Sequence, residues 1–166
     1  MGAHLGFAPD QRSGAPICRM RTVDDLLLDV MPLDESILGH SNRWYPYAMA
    51  SAVTLTLERG LVIRVASGAA FLAMKWAAFA SRGAADPMSS HDLEDVITVV
   101  AGRAEIVDDV RVAPAKVRTF IRTETTAFLA ATWAEGILDG NLPDARRVPG
   151  LVDAVTRRFQ QLASMD

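Results

Sequence analysis

The sequence is poor in the residues that build disulfides and metal sites. Its 166 residues include one cysteine, Cys18, and three histidines that lie far apart. An intramolecular disulfide and a multi-cysteine metal site are therefore excluded, and low cysteine usage is typical of a reducing compartment. The phosphate-loop, dinucleotide-binding, zinc-protease and serine-hydrolase motifs are also missing. These absences exclude the enzyme classes that short motifs define.

A long apolar run and a large excess of charge are missing as well. The longest apolar stretch, around 68–80, is interrupted by Lys75 and is too short to span a bilayer. The N-terminus lacks the basic and then apolar pattern of a secretory signal. The net charge is −3, which gives no reason to expect DNA binding. We therefore expect a soluble cytoplasmic protein that contacts no membrane.

The first part of the chain has the patterns of strands. Strands are expected at 17–21 and 26–31, and the segment LLLDVMP is interpreted as a central strand because it is apolar on both faces. Residues 33–50 predict irregular structure. Apolar and polar side chains alternate over 53–57, and a tight turn at 59–60 leads into a second strand, which predicts a hairpin.

After residue 68 the hydrophobic period becomes helical. Glycines and prolines divide this part into predicted helices at about 69–82, 90–102, 103–112, 115–133 and 149–164, with a loop over 135–150. Strands followed by helices predict an α+β fold, namely a small, mostly antiparallel sheet and then a C-terminal helical bundle. We expect a sheet region at 1–67 and a helical region at 68–166 that pack together as a single domain.

Two cations interrupt the apolar stripe of the first long predicted helix. Lys75 and Arg82 fall on the same face as Phe71 and Phe79. A cation buried without a partner is costly, so these side chains either extend to solvent, pair with carboxylates, or face a cleft that receives phosphate groups. The residues alone leave these alternatives open.

The segment SHDLEDV places several acids at the start of the next predicted helix. A serine is a natural N-cap and acids in the first turn favour the helix dipole, which accounts for Glu94. Asp95 points toward solvent. Asp92 instead lies at the edge of the buried face, within reach of Lys75 and Arg82. It forms either an internal bridge with Lys75 or part of a site.

Asp29 is the third candidate position. It shares a strand face with Leu27 and Met31. An isolated carboxylate on a covered face is costly unless it binds a metal or a cation, or unless the sheet face opens at that point.

The segments LLLDVMP, ILGHSNRWYP, FLAMKWAAFASRG and SHDLEDVITVVAGR resemble the AbiEii-type nucleotidyltransferases. These are DNA polymerase beta-like transferases, several of which are toxins of toxin–antitoxin pairs. The resemblance covers most of residues 17–112. It implies a partial nucleotidyltransferase fold, transfer of a nucleotidyl group from an NTP with Mg²⁺ to an RNA or protein acceptor, and an antitoxin protein as partner.

The resemblance also implies a role for each candidate residue. Asp29 matches the strand carboxylate beside the metal pair, as a catalytic residue and metal ligand. Lys75 matches the helix lysine that contacts the nucleotide phosphates, and Arg82 joins those contacts. Asp92 matches the family's aspartate that orients the lysine or the nucleotide, with Asp95 as its partner in nucleotide binding.

Residues 1–28 depart from the family pattern. The Gly-Ser turn that grips the triphosphate and the Asp-x-Asp that holds the metal ions are missing, because Asp24 and Asp25 are adjacent and Ser13–Gly14 runs in reverse order. We therefore expect a nucleotidyltransferase-like chain that begins after the catalytic turn and is catalytically incomplete. The alternative is a non-catalytic binding module, derived from that fold, in which a second copy covers an exposed sheet edge to form a homodimer.

Overall fold

The fold is α+β, with small antiparallel sheets in the N-terminal half followed by a helical C-terminal region. This confirms the fold class that the sequence predicts. The computed structural model describes residues 6–142 and 148–166. The chain divides into two units, Met1–Asn42 and Arg43–Asp166. The boundary expected from the sequence lies later, after residue 67, where the helical pattern begins.

The first unit contains a three-stranded antiparallel sheet in the order β1-β2-β3. Its strands are β1 (Ala8–Pro9), β2 (Arg19–Arg21) and β3 (Leu27–Asp29). A one-turn helix, α1 (Glu35–Leu38), follows the sheet. The Asp34 side chain caps its first turn by accepting from the backbone of Ser36, and the helix ends at Gly39, whose φ of 74° suits glycine.

The prediction that LLLDVMP forms a central, covered strand is wrong, because β3 lies at the edge of its sheet. Among the described residues it pairs with β2 alone. Leu27 and Leu28 point to opposite faces, and they are 52% and 45% exposed. An apolar segment is compatible with a covered strand. Whether the strand is covered depends on elements from distant parts of the chain, which the segment itself does not reveal.

The second unit opens with a helix and the predicted hairpin. These elements are α2 (Tyr45–Ala50), β4 (Val53–Thr56) and β5 (Val62–Val65). The two strands pair antiparallel, with Leu55 opposite Ile63. The chain reverses through Arg59 and Gly60, which both have positive φ, at the predicted turn.

The rest of the second unit is helical. Its helices are α3 (Gly68–Ala78), α4 (His91–Gly102), α5 (Ile106–Arg111), α6 (Ala115–Ala130), α7 (Ala134–Asn141) and α8 (Leu151–Ala163). A π-helical turn, Phe79–Gly83, continues α3, and a short 3₁₀ turn, Pro87–Ser89, precedes α4. In the part of the chain that the structure describes, no helix combines the length and the apolar content needed to cross a membrane.

The helices pack around one hydrophobic core. Trp76 of α3, Ile97 of α4 and Ile121 of α6 are fully buried in it. Phe128 of α6 contacts Phe159 of α8 with ring centroids 5.1 Å apart. Burial of these large side chains is the main stabilising contribution of the fold and fixes the positions of α3 and α4, which carry the candidate site.

Three short helices, α1, α2 and α7, occur where the sequence predicts irregular structure or a loop. In α2, Pro46 occupies the first turn, where a missing backbone N–H is tolerated. In α7, Gly136 and Gly140 suggest a loop, yet Ile137 and Leu138 are buried in the core. Tertiary burial thus outweighs the low helix propensity of glycine. Residues 143–147 of the predicted loop lie outside the described residues.

Candidate functional site

Four charged residues of α3, the π-turn and α4 meet in one place, and we call Lys75, Arg82, Asp92 and Asp95 the ion cluster. Lys75 lies in the last turn of α3, whose first turn is capped by the Ser67 side chain. Arg82 lies in the π-turn, which is closed by the hydrogen bond from Ala84 N to Phe79 O at 3.0 Å. Such turns locally re-aim side chains and are frequent at functional sites.

A close approach between the π-turn and α4 makes this meeting possible. Gly83 packs directly against Ser90, the N-cap of α4, whose hydroxyl accepts from Leu93 N at 3.4 Å. A Cβ at Gly83 would overlap Ser90 Oγ and would lie 2.7 Å from Phe79 Cδ2. Only glycine allows this approach, so Gly83 sets the distance between Arg82 and the first turn of α4.

Asp92 is the centre of the ion cluster. Lys75 Nζ donates to Asp92 Oδ1 at 3.2 Å, and Arg82 donates from Nε to Oδ2 at 2.7 Å and from Nη2 to Oδ1 at 3.0 Å. The Asp92 side chain is 7% exposed. A carboxylate so deeply buried needs these charge-assisted hydrogen bonds, and in return it fixes both cations. The internal Lys75–Asp92 bridge, one of the two alternatives from the sequence, is thus present.

Asp95 is the outer acid of the ion cluster. Its Oδ2 lies 2.5 Å from Lys75 Nζ, and its side chain is 44% exposed, compared with 28% for Lys75 and 70% for Arg82. Lys75 therefore bridges a buried and an exposed carboxylate. The two cations and two carboxylates balance in formal charge, and Asp95 is the acid that solvent or a ligand reaches first.

The pKa values of the ion cluster favour the charged forms. Burial alone would raise the pKa of Asp92, but the hydrogen bonds and charges of Arg82 and Lys75 hold it below its ordinary value. Burial would lower the pKa of Lys75, but the hydrogen bonds that Lys75 donates to Asp95 and Asp92 raise this pKa above its ordinary value. The hydrogen bond to Asp92 raises the pKa of Arg82. All three groups are ionised at neutral pH.

Asp29 belongs to the first unit, where it binds Arg19. Arg19 donates from Nε to Oδ1 and from Nη2 to Oδ2, both at 2.7 Å. The Asp29 side chain is 41% exposed, and the hydrogen bond from Arg19 lowers its pKa. Of the three alternatives that the sequence left open for Asp29, the structure shows two, a bound cation and an open strand face. The role of Asp29 as a catalytic metal ligand stays a prediction.

The resemblance implies Mg²⁺, and the described residues do not supply a centre for it. Within residues 6–142 and 148–166, no group of three or more His, Cys, Asp or Glu side chains is placed to hold a metal ion. The ion cluster contributes only two carboxylates, and Lys75 and Arg82 already bind them. The described side chains therefore do not fit a magnesium centre.

Sequence reasoning missed two residues that position these groups. Arg19 faces Asp29 across the β2–β3 pair. The predicted strands flank a turn at 22–25 and would pair Arg19 with Leu28, one residue out of the observed register. Gly83 carries only the weak signal of a glycine directly after a candidate cation. Its contact with Ser90 depends on how two helices pack, which local sequence does not encode.

The arrangement can bind an anion, because two cations are fixed side by side at the surface of α3 and the π-turn. In the part of the chain that the structure describes, Nη1 of Arg82 makes no hydrogen bond, so it remains available to a ligand. Comparison of the chain with protein-family models, curated proteins and solved structures gives no match.

Proposed function

We propose that this protein is a cytoplasmic, nucleotidyltransferase-like protein of the toxin–antitoxin type, whose ion cluster binds the phosphates of an NTP. The observation that carries the proposal is the bonding of one buried carboxylate, Asp92, to two cations on a neighbouring helix and turn. This bonding preorganises Lys75 and Arg82 as a pair. Preorganised cations lose little entropy when a polyanion binds.

Each member of the ion cluster has a distinct part in this proposal. Lys75 and Arg82 contact the phosphates, and Asp92 holds them in place without being displaced, because it is buried. Asp95 is the exposed counterion, and phosphate oxygens replace it at Lys75 when the nucleotide binds. The exchange keeps Lys75 paired in both states, and the released Asp95 carboxylate is exposed enough to be hydrated.

For this chain we propose nucleotide binding alone. Transfer of the nucleotidyl group to an RNA or protein acceptor is proposed only for proteins that carry the Gly-Ser and Asp-x-Asp motifs. The described residues place no carboxylate group that fits a metal pair, and two-metal phosphoryl chemistry requires one. An antitoxin protein is the partner that the same resemblance implies.

A thermal unfolding experiment tests the binding proposal. A ligand at about one hundred times its Kd stabilises a protein by about 2.7 kcal/mol, which raises the Tm of a domain of this size by several degrees. We expect millimolar NTP to give such a rise, Lys75→Ala to abolish it, and Lys116→Ala to retain it. Lys116 is the matched control because it lies on α6 outside the ion cluster. An unchanged Tm for the unmodified protein, or an equal rise in Lys75→Ala, contradicts the proposal.

The second candidate function is a homodimeric binding module, and the exposure of the hairpin favours it. Val53 and Leu55 of β4 and Val62 of β5 are about half exposed or more, and β4 carries no charge that would oppose pairing with a second copy. Light scattering should then give about twice the chain mass of 18.0 kDa. A monomer at every concentration would exclude this function.

A further inference from the structure

The second unit contains a cavity of about 440 Å³ where the base of the hairpin meets α3 and α4, and we call it the α3–α4 pocket. Its walls include the apolar side chains of Val53, Val65, Phe71 and Val99. The volume lies in the range of small-molecule sites, which are mostly apolar with a few placed polar groups.

A polar edge of the α3–α4 pocket is formed by Arg103 and Asp109. Arg103 donates from Nη2 to Asp109 Oδ1 at 3.2 Å, and its Nε contacts Oδ2. Gly68, the first residue of α3, lies so close to this pair that a Cβ there would overlap the Asp109 carboxylate. The pair is thereby held at the edge of the pocket, where it presents both hydrogen-bond donors and acceptors.

The α3–α4 pocket adjoins the ion cluster on both helices. Phe71 precedes Lys75 by one turn of α3, and Val99 follows Asp95 by one turn of α4. Residues four apart lie on the same helix face, about 6 Å along the axis. Lys75 Nζ lies 5.8 Å from the centroid of the Phe71 ring. An apolar pocket thus opens one helical turn from the cations.

We propose that the α3–α4 pocket holds the base and sugar of the nucleotide whose phosphates bind Lys75 and Arg82. This inference rests on the proposed function and names the part of the ligand that the ion cluster does not contact. The Phe71 ring and the valine side chains bury the planar base. Arg103 and Asp109 bond its ring N–H and carbonyl groups, and the sugar spans the helical turn to Lys75.

Calorimetric titration with the four common NTPs and with inorganic tripolyphosphate tests this inference. Gly102 lines the α3–α4 pocket, and nothing lies within 4 Å of the position of its Cβ. Gly102→Phe therefore adds a ring to the pocket wall at a position whose Cβ has open space. Gly136→Phe is the matched control, because Gly136 also has open space but lies on α7 outside the pocket. Thr98→Phe is a second blocking variant, on an exposed position of the pocket wall.

We expect the unmodified protein to bind at least one NTP at least tenfold more tightly than tripolyphosphate. Gly102→Phe and Thr98→Phe should remove that difference and leave tripolyphosphate binding unchanged, whereas Lys75→Ala should weaken both ligands. If both blocking variants keep the full NTP affinity while Lys75→Ala loses it, the pocket inference is overturned and the proposed function stands. If the unmodified protein binds neither ligand, both are overturned.

Discussion

Replacing Gly83 by alanine should destabilise the protein, although alanine usually favours a helix over glycine. The added Cβ would overlap Ser90 Oγ and would lie 2.7 Å from Phe79 Cδ2 and 3.1 Å from Ser90 Cβ. Overpacking of this kind costs about 1–3 kcal/mol. If Ser90 moves away instead, its N-cap hydrogen bond to Leu93 N is lost, at about 1 kcal/mol.

The opposing gain from replacing a helical glycine by alanine is about 0.5–1 kcal/mol. The steric cost outweighs this gain, so we expect the free energy of unfolding to fall by about 1 kcal/mol. Urea unfolding followed by circular dichroism measures this change as a lower midpoint at an unchanged slope.

Two matched variants make the Gly83 experiment decisive. Gly136→Ala introduces the same methyl group into α7, where nothing lies within 4 Å and φ is not positive, so it should stabilise by about 0.5–1 kcal/mol. Adding Ser90→Gly to Gly83→Ala removes the two Ser90 atoms that clash and leaves the contact with Phe79. Because glycine is a tolerated N-cap, part of the loss should be recovered. A Gly83→Ala protein as stable as the original would refute the argument that this contact sets the approach of the π-turn to α4.

Further predictions concern the carboxylates of the second unit. Asp92→Ala should lower the free energy of unfolding in urea by about 2 kcal/mol, because it leaves Lys75 and Arg82 facing each other. Replacing the more exposed Asp95 by alanine should lower it by less than about 1 kcal/mol. Equal losses in the two variants would show that burial does not determine the stability of the ion cluster. Because the folded pKa of Asp92 is lowered, its contribution to stability is present above the ordinary value of 3.8 and is lost as the pH falls through the folded pKa. Urea unfolding across that range should therefore show a smaller acid loss in Asp92→Asn than in the original protein, and identical pH profiles would contradict this. Burial raises the pKa of Glu124, so the folded state disfavours the charged carboxylate at neutral pH. Glu124→Gln should therefore increase the Tm at neutral pH, and a decrease would show that the charge of Glu124 stabilises the fold.

Three members of the ion cluster could be predicted from the sequence because helical geometry is regular, whereas the pairing of Asp95 with Lys75 could not, since helical geometry directs Asp95 toward solvent. Once α3 and α4 are assigned, the spacing of Lys75 and Arg82 and the position of Asp92 at the edge of a buried face follow from the helical repeat. The hairpin is predictable for the same reason, since alternation and turn residues are local signals. The structure adds the π-turn, which the apolar pattern around Phe79 does not reveal.

The surroundings of Asp29 could not be predicted in the same way. Whether a strand is central or at an edge depends on partners that the strand itself does not encode, so an apolar segment was compatible with either. Likewise, α7 forms because Ile137 and Leu138 find a place in the core, whereas its glycines indicate a loop. The α3–α4 pocket depends on how the hairpin, α3, α4 and α5 pack together, and no local pattern reports that.

Trp76 follows Lys75 directly in α3, and its indole lies 6.0 Å from the ring of Phe79, the first residue of the π-turn. The ring is almost fully enclosed, and its Nε1 has no hydrogen-bond partner among the described residues. An indole enclosed in this way is expected to emit at a shorter wavelength than an exposed one, and a displacement of the turn carrying Arg82 should change that emission. In a protein whose other two tryptophans are replaced, Trp76 would report a ligand that moves the π-turn without an attached dye.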